Sequence, residues 1–331
     1  MDPFENIGIQ IANQWKSDDS TDEFVRVSSD ILSRSSFDDF DIRSVLEWAG
    51  SKDLLPRQHN FQSPFGEPAL TVYSGEGFYL ELLFWFTSCT AIHGHGFAGA
   101  FRVLHGHSLQ TEYVFQLGSA VCEGVESGDL ILNGLRLIGP GDISSISPGD
   151  EFTHCVAHLG CPSITLVART IYTRGVKQYS YSRSGLAWLP FHRKEDIGQR
   201  LALINTLKRI ESIRYREAIL ELVRGGDPHR CLMVLLSLSH QGADSEWLDD
   251  VAKVGCTDSQ HREQLMNAVL EVARKNRIWK AIDDFPESQR LRIALGELFG
   301  SEAKSLHEIE KYYPSNPAEE TLHEWEGEIS L

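Results

Sequence analysis

Three histidines in this chain stand at spacings that chemistry can use. His93 and His95 lie two apart in the run Ala91-Ile92-His93-Gly94-His95-Gly96. If that run is a strand, both side chains leave the same face. Two imidazoles side by side in an interior need a reason, and a first-row transition metal is a good one. Further on, Ser147-Pro148-Gly149-Asp150-Glu151-Phe152-Thr153-His154 places a Pro-Gly turn ahead of a strand carrying His154. A third imidazole set across a barrel from the first pair would complete a neutral ligand set. It would leave a metal its charge and open positions, for O2 and a substrate together or for a water to polarise. Other histidines compete for these roles. His105 and His107 form a second such pair, but Gly106 between them is expected to end the strand and leave them at the rim. Were they the real pair, Glu112 could be their carboxylate partner; otherwise it is a solvent-facing strand residue. His158 is expected in a supporting or surface position. Cys155, next to His154, should face away from the metal, and Cys89 and Cys155 read as small buried thiols.

The elements that must position these side chains can be read from texture. Residues 59–190 alternate short β-branched and aromatic runs with Gly, Pro, Ser and Asp: Ala69–Tyr73, Tyr79–Phe86, Ala100–Leu104, Thr111–Leu117, Asp129–Leu137, Ile143–Ile146 and Ser163–Tyr172. Short strands with frequent turns predict an antiparallel sandwich or barrel. Residues 1–58 carry helical spacing at 24–27 and 42–48, with Asp39 or Asp41 as a cap for the second helix. From about Lys194 the pattern turns helical. Ile197 to Val223 reads as one helix stopped by Gly225-Gly226-Asp227-Pro228. Further helices are expected at 228–240, 244–254, 258–282 and 286–299, with Asp258 and Asp283 or Asp284 as N-caps. The expected organisation is a helical region at 1–58, a β-barrel at 59–190, a helical domain at 191–310 and an acidic tail at 311–331. Dimerisation and covering of the barrel mouth are both open as uses of the helical part.

Composition narrows the classes. The 331 residues carry 31 Lys and Arg against 47 Asp and Glu, a formal charge of −16, with 41% apolar residues. That is a globular chain, not a disordered one. Its acidity argues against nucleic acid and anionic membrane partners, which are held by clustered Lys and Arg. Six cysteines without CxxC pairs read as reduced thiols. With no apolar leader and no membrane-length apolar run, the expected location is cytoplasmic.

The spacing of His93 and His95, then Gly99 and Arg102-Val103-Leu104-His105-Gly106, resembles the first motif of the cupin superfamily. Gly141 through Pro148-Gly149 to His154 resembles the second. Most cupins add a Glu ligand a few residues after the histidine pair; Gly99 or Ala100 stands there, so the carboxylate is missing. A histidine pair with no Glu and a distant histidine is similar to the three-histidine thiol dioxygenases, the cysteine and mercaptopropionate dioxygenase family. The likeness spans roughly residues 68–172, about a third of the chain. It implies an α+β protein built on a double-stranded antiparallel jelly roll. It implies Fe(II) on His93, His95 and His154, and O2-dependent oxidation of a small thiol or amino-acid-like molecule. Imidazole donors alone leave Mn, Ni, Co and Zn open. The family's Ser-His-Tyr run falls at Thr165, Val167 and Arg169, its crosslinked Cys at Ala100, and its carboxylate-binding Arg within Ala69–Glu76, where there is none. The metal ligands therefore carry over and the substrate does not. Arg169 could clamp a carboxylate from another wall, with Thr165 beside it; as the bland alternative, Arg102 and Arg169 are surface charges. Two other functions stay open, a non-redox isomerase or hydrolase at Zn or Ni and a non-catalytic cupin sensor.

Overall fold

The run Phe78-Tyr79-Leu80-Glu81-Leu82-Leu83-Phe84-Trp85 is buried at every position. A strand with one wet face would alternate in burial. This one is covered on both sides, and what covers each side organises the protein. The computed structural model describes residues 2–37, 40–59, 65–86, 89–190, 197–210, 212–281 and 285–299.

Three helices lead: α1 (Pro3–Gln14), α2 (Thr21–Arg34) and α3 (Ile42–Gly50). Each starts where a side-chain oxygen accepts from free backbone N–H groups, at Asp2, Ser20 and Asp41. The strands β1 (Ala69–Ser74), β2 (Phe78–Trp85), β3 (Ile92–His95), β4 (Gly99–His105), β5 (Ser108–Cys122), β6 (Val125–Ile138), β7 (Ile143–Ile146), β8 (Gly149–His158), β9 (Ser163–Thr170), β10 (Ser180–Tyr181) and β11 (Leu186–Trp188) follow. Then come α4 (Ile197–Ile210), α5 (Ser212–Val223), α6 (Pro228–His240), α7 (Ser245–Gly255), α8 (Ser259–Ala281) and α9 (Glu287–Phe299).

The strands form two antiparallel sheets, one ordered β1-β2-β9-β4-β7 and the other closed in the order β10-β11-β6-β5-β8-β3. They enclose a cavity of about 420 Å³ lined by residues of both. The protein is thus α+β, a double-sheet antiparallel barrel with helices before and after it, as the sequence led us to expect. On β2 the period of two divides the labour. Glu81, Leu83 and Trp85 face the cavity, while Phe78, Leu80, Leu82 and Phe84 pack outward against Phe4, Ile7, Ile11, Phe24, Val27 and Ile31 of the leading helices. Each such side chain fully removed from water contributes roughly 1.5–3 kcal/mol. The closed sheet is covered from outside by the later helices: Leu109, Leu137 and Ala157 meet Trp279 of α8 and Leu291, Ala294 and Leu295 of α9.

Several expectations change. Ile197–Val223 is two helices, α4 and α5. The α1 helix, with Phe4, Ile7 and Ile11 buried on one face, had not been read. The β5–β6 hairpin is longer than its apolar alternation suggested, because residues 116–120 extend into solvent, where pairing needs no apolar face. Arg102 is not a surface charge. Its Nη1 donates to the carbonyls of Leu32 (2.6 Å) and Ser35 at the C-terminal end of α2, where helical carbonyls lack partners. Asp258 does cap α8, accepting from the His261 N–H at 2.8 Å. Asp283, Asp284 and the acidic stretch 311–331 lie outside the described residues. No helix among those residues is long and apolar enough to cross a membrane.

Candidate metal centre

β3 brings His93 and His95 to one face, and the antiparallel neighbour β8 sets His154 directly across from His93. The two strands come close because Gly94 separates the histidines: a Cβ there would sit 2.4 Å from the Gly149 carbonyl oxygen. Gly149 in turn has φ +86°, which suits glycine and starts β8 in the right direction. The ring centroids of the three histidines lie 4.8, 4.9 and 4.9 Å apart, with one ligand atom from each inside a 4.8 Å span. Among the described residues this is the one cluster of three or more His, Cys, Asp or Glu side chains able to share an ion.

The hydrogen bonds define two tautomers. A carbonyl oxygen only accepts, so Nδ1 of His93 donates to Ala91 O (2.8 Å) and Nδ1 of His95 to Phe152 O (3.3 Å). Each Nε2 then carries a free lone pair, and its ring is fixed from behind. Nδ1 of His154 is buried with no hydrogen-bond partner among the described residues. Burial pushes all three imidazoles below the usual histidine range, His95 and His154 furthest, with His93 adding repulsion to both. They are neutral at pH 7, the state in which imidazole binds a metal. Three neutral donors, two with their tautomers fixed and the third with an orphaned nitrogen, fit a metal ion.

The same burial makes stability depend on pH. In the unfolded chain these histidines take up protons below about pH 6.5, and in the folded protein they resist. The folded state therefore loses stability as pH falls from about 6.5 toward the depressed folded values. Denaturant midpoints measured from pH 7.5 down to pH 5 should fall steadily; a flat profile would contradict the neutral cluster.

Thr165, Val167 and Arg169 of β9 all face this cavity, as their alternation predicted. Thr165 Oγ1 accepts from Trp85 Nε1 at 3.2 Å. Arg169 Nη1 is 3.2 Å from Glu81 Oε1, with side-chain exposures of 18% and 2%, and its guanidinium carbon lies 3.4 Å from the Phe97 ring centroid. Its Nε is a buried donor without a partner among the described residues. The second histidine pair stays out: His105 is exposed and His107 meets Glu287 at 3.1 Å. Glu112 accepts from Gln110 Nε2 at 2.7 Å.

His158 is not at the surface. It lines the cavity, stacks on Trp85 (4.5 Å, 16°) and shares a 3.0 Å hydrogen bond between Nδ1 and Ser108 Oγ, with burial pushing it down to about 3. Sequence reasoning also missed Glu81 as a wall residue. The signal was there: Glu81 shares strand parity with Leu83 and Trp85, and His158 with His154. His59 and Gln178 on loops gave no such signal.

No family model and no curated protein matches the chain. Solved structures do. A cupin-2 domain protein from Shewanella frigidimarina is similar at 9% identity and TM-score 0.22, over 32% of this chain and 81% of that one. A hydroquinone 1,2-dioxygenase is similar at 10% identity and TM-score 0.25, over 33% and 67%. An oxalate oxidase is similar at 16% identity and TM-score 0.26, over 49% and 75%. Likenesses of this degree say nothing of what the present chain does; that has to come from its own residues.

Proposed function

We propose that this protein is a mononuclear non-heme Fe(II) oxygenase that oxidises a small thiol or amino-acid-like molecule with O2. The observation that carries the reading is the convergence of three neutral imidazoles, with no carboxylate among them, on a roomy, largely apolar cavity. When bound by His93, His95 and His154, iron supplies a redox-active Lewis acid with coordination positions left over from the protein. The chain's own residues do the rest. Leu83, Phe97, Phe101, Ile138, Ile146 and Val167 keep the wall dry. Arg169, oriented by Glu81 and Phe97, offers its remaining N–H donors to a substrate carboxylate. Thr165 Oγ, accepting from Trp85, keeps its own hydrogen to donate to a substrate.

Metal analysis of protein purified without oxygen, followed by O2 uptake with a panel of small thiols and amino acids, tests this. The expected result is about one iron per chain and uptake that depends on a panel member. Iron without uptake would move the substrate outside the panel; zinc, or no metal at all, would favour a non-redox enzyme or a sensor.

A further inference from the structure

Behind the wall that carries His154, a second cavity of about 260 Å³ opens between the closed sheet and α8 and α9. Cys89, Lys275, Arg183, Arg274, Glu271 and Glu297 are among its lining residues. Cys89 is half-buried and reaches this space; Cys155 is buried behind it. Cys155 points this way because it follows His154 on β8, and successive side chains alternate. Cys89 meets it through an isolated antiparallel bridge between Cys89 and Ala157. The two sulfurs are 3.6 Å apart. Lys275 Nζ donates to Cys155 Sγ at 3.2 Å and to the Thr90 carbonyl at 2.5 Å. Among the described residues no carboxylate forms an ion pair with this ammonium. This buried ammonium thus holds the Cys155 sulfur from behind and reaches Cys89 as well, keeping the two sulfurs side by side at the cavity wall.

We propose that Cys89 and Cys155 form a redox-active dithiol that takes up an oxidising equivalent from a low-molecular-weight disulfide entering the second cavity. The proposal does not rest on the oxygenase reading. In the first step the Cys89 thiol, which burial holds towards its protonated form, gives its proton to solvent entering the cavity and its sulfur attacks one sulfur of the small disulfide. The bond between Cys89 and that sulfur forms, the small disulfide's S–S bond breaks, and one small thiolate leaves and takes a proton. In the second step the Cys155 sulfur attacks Cys89. The protein disulfide forms, the mixed disulfide breaks, and a second small thiol leaves. Two protein thiols are oxidised and one small disulfide is reduced to two thiols. The sulfurs must approach from 3.6 Å to about 2.05 Å, a side-chain adjustment in a pair already in contact. The bridge would tie the segment leading into His93 to the strand of His154, across 66 residues of chain.

The experiment uses the full chain with Cys161, which is exposed, and Cys122, which is half-buried, both replaced by serine, and 2-hydroxyethyl disulfide as the probe. Two thiols should disappear together, and non-reducing peptide mapping should join the Cys89 and Cys155 peptides. Cys155→Ser should trap the probe on Cys89 as a mixed disulfide, and Cys89→Ser should leave Cys155 unreacted. A pair still fully reduced after prolonged exposure to excess probe, or a Cys155→Ser variant that captures no probe, would overturn the proposal.

Discussion

Replacing His154 with alanine is expected to strip the protein of stoichiometric metal while leaving its fold in place. The three imidazoles share one short span of space, so removing one leaves two donors, and no other His, Cys, Asp or Glu among the described residues joins that cluster to replace it. Losing a group that merely supports a ligand weakens metal binding about 10–100-fold; losing a ligand should exceed that. The informative control is His158→Gln. His158 lies two side chains further along the same face of β8, lines the same cavity and is equally buried, but it is engaged by Ser108 and stacked on Trp85. Metal content after reconstitution with Fe(II) under nitrogen, read by elemental analysis, should fall to background in His154→Ala and stay near one per chain in His158→Gln. If His154→Ala kept its metal and His158→Gln lost it, the third donor would be His158. A second readout is independent of metal. His154→Ala removes one imidazole that resists protonation, so the metal-free variant should lose less stability than the unmodified protein as pH falls below about 6.5.

What the sequence revealed and what it hid divide along one physical line. Features that depend on local period were legible. The two-residue alternation that put His93 beside His95 also put Thr165, Val167 and Arg169 on the cavity side. The Pro-Gly turn before His154 fixed where β8 begins, and helical spacing located α6 to α9 within a residue or so. Features that depend on which strand lies beside which were not legible. Glu81 looked like an interruption in an apolar run, and only the β2–β9 register, with Glu81 opposite Val167, reveals a buried carboxylate within reach of Arg169. Cys89 and Cys155 are 66 residues apart and meet only because a single bridge closes at Ala157. Arg102 shares its texture with any strand arginine; its burial follows from α2 lying across β4, which no local pattern encodes.

Replacing Glu81 with alanine is expected to destabilise the protein by on the order of 3 kcal/mol, because it leaves the Arg169 guanidinium in an apolar wall without its counter-charge. Replacing Arg169 with methionine should also cost stability, since the buried carboxylate then loses its cationic counter-charge. The two losses should not add. With both charges removed together, as Glu81→Leu with Arg169→Met, no charge is left uncompensated, and the denaturant midpoint should return to within about 1 kcal/mol of the original. That rescue separates two reasons for having the pair. If the double variant is stable and still turns over substrate with an unchanged KM, the pair is there for folding alone. If it is stable but turnover is lost or KM rises steeply, Arg169 acts on the substrate and Glu81 acts through it. The geometry favours the second outcome. A guanidinium ion-paired along one edge and resting its face on Phe97 has one orientation, and Nε remains a buried donor without a partner among the described residues. An arginine needed only for packing could be replaced by an apolar side chain at no cost. Under the proposed function, one held this firmly, with a donor to spare, would receive a planar anion that arrives later.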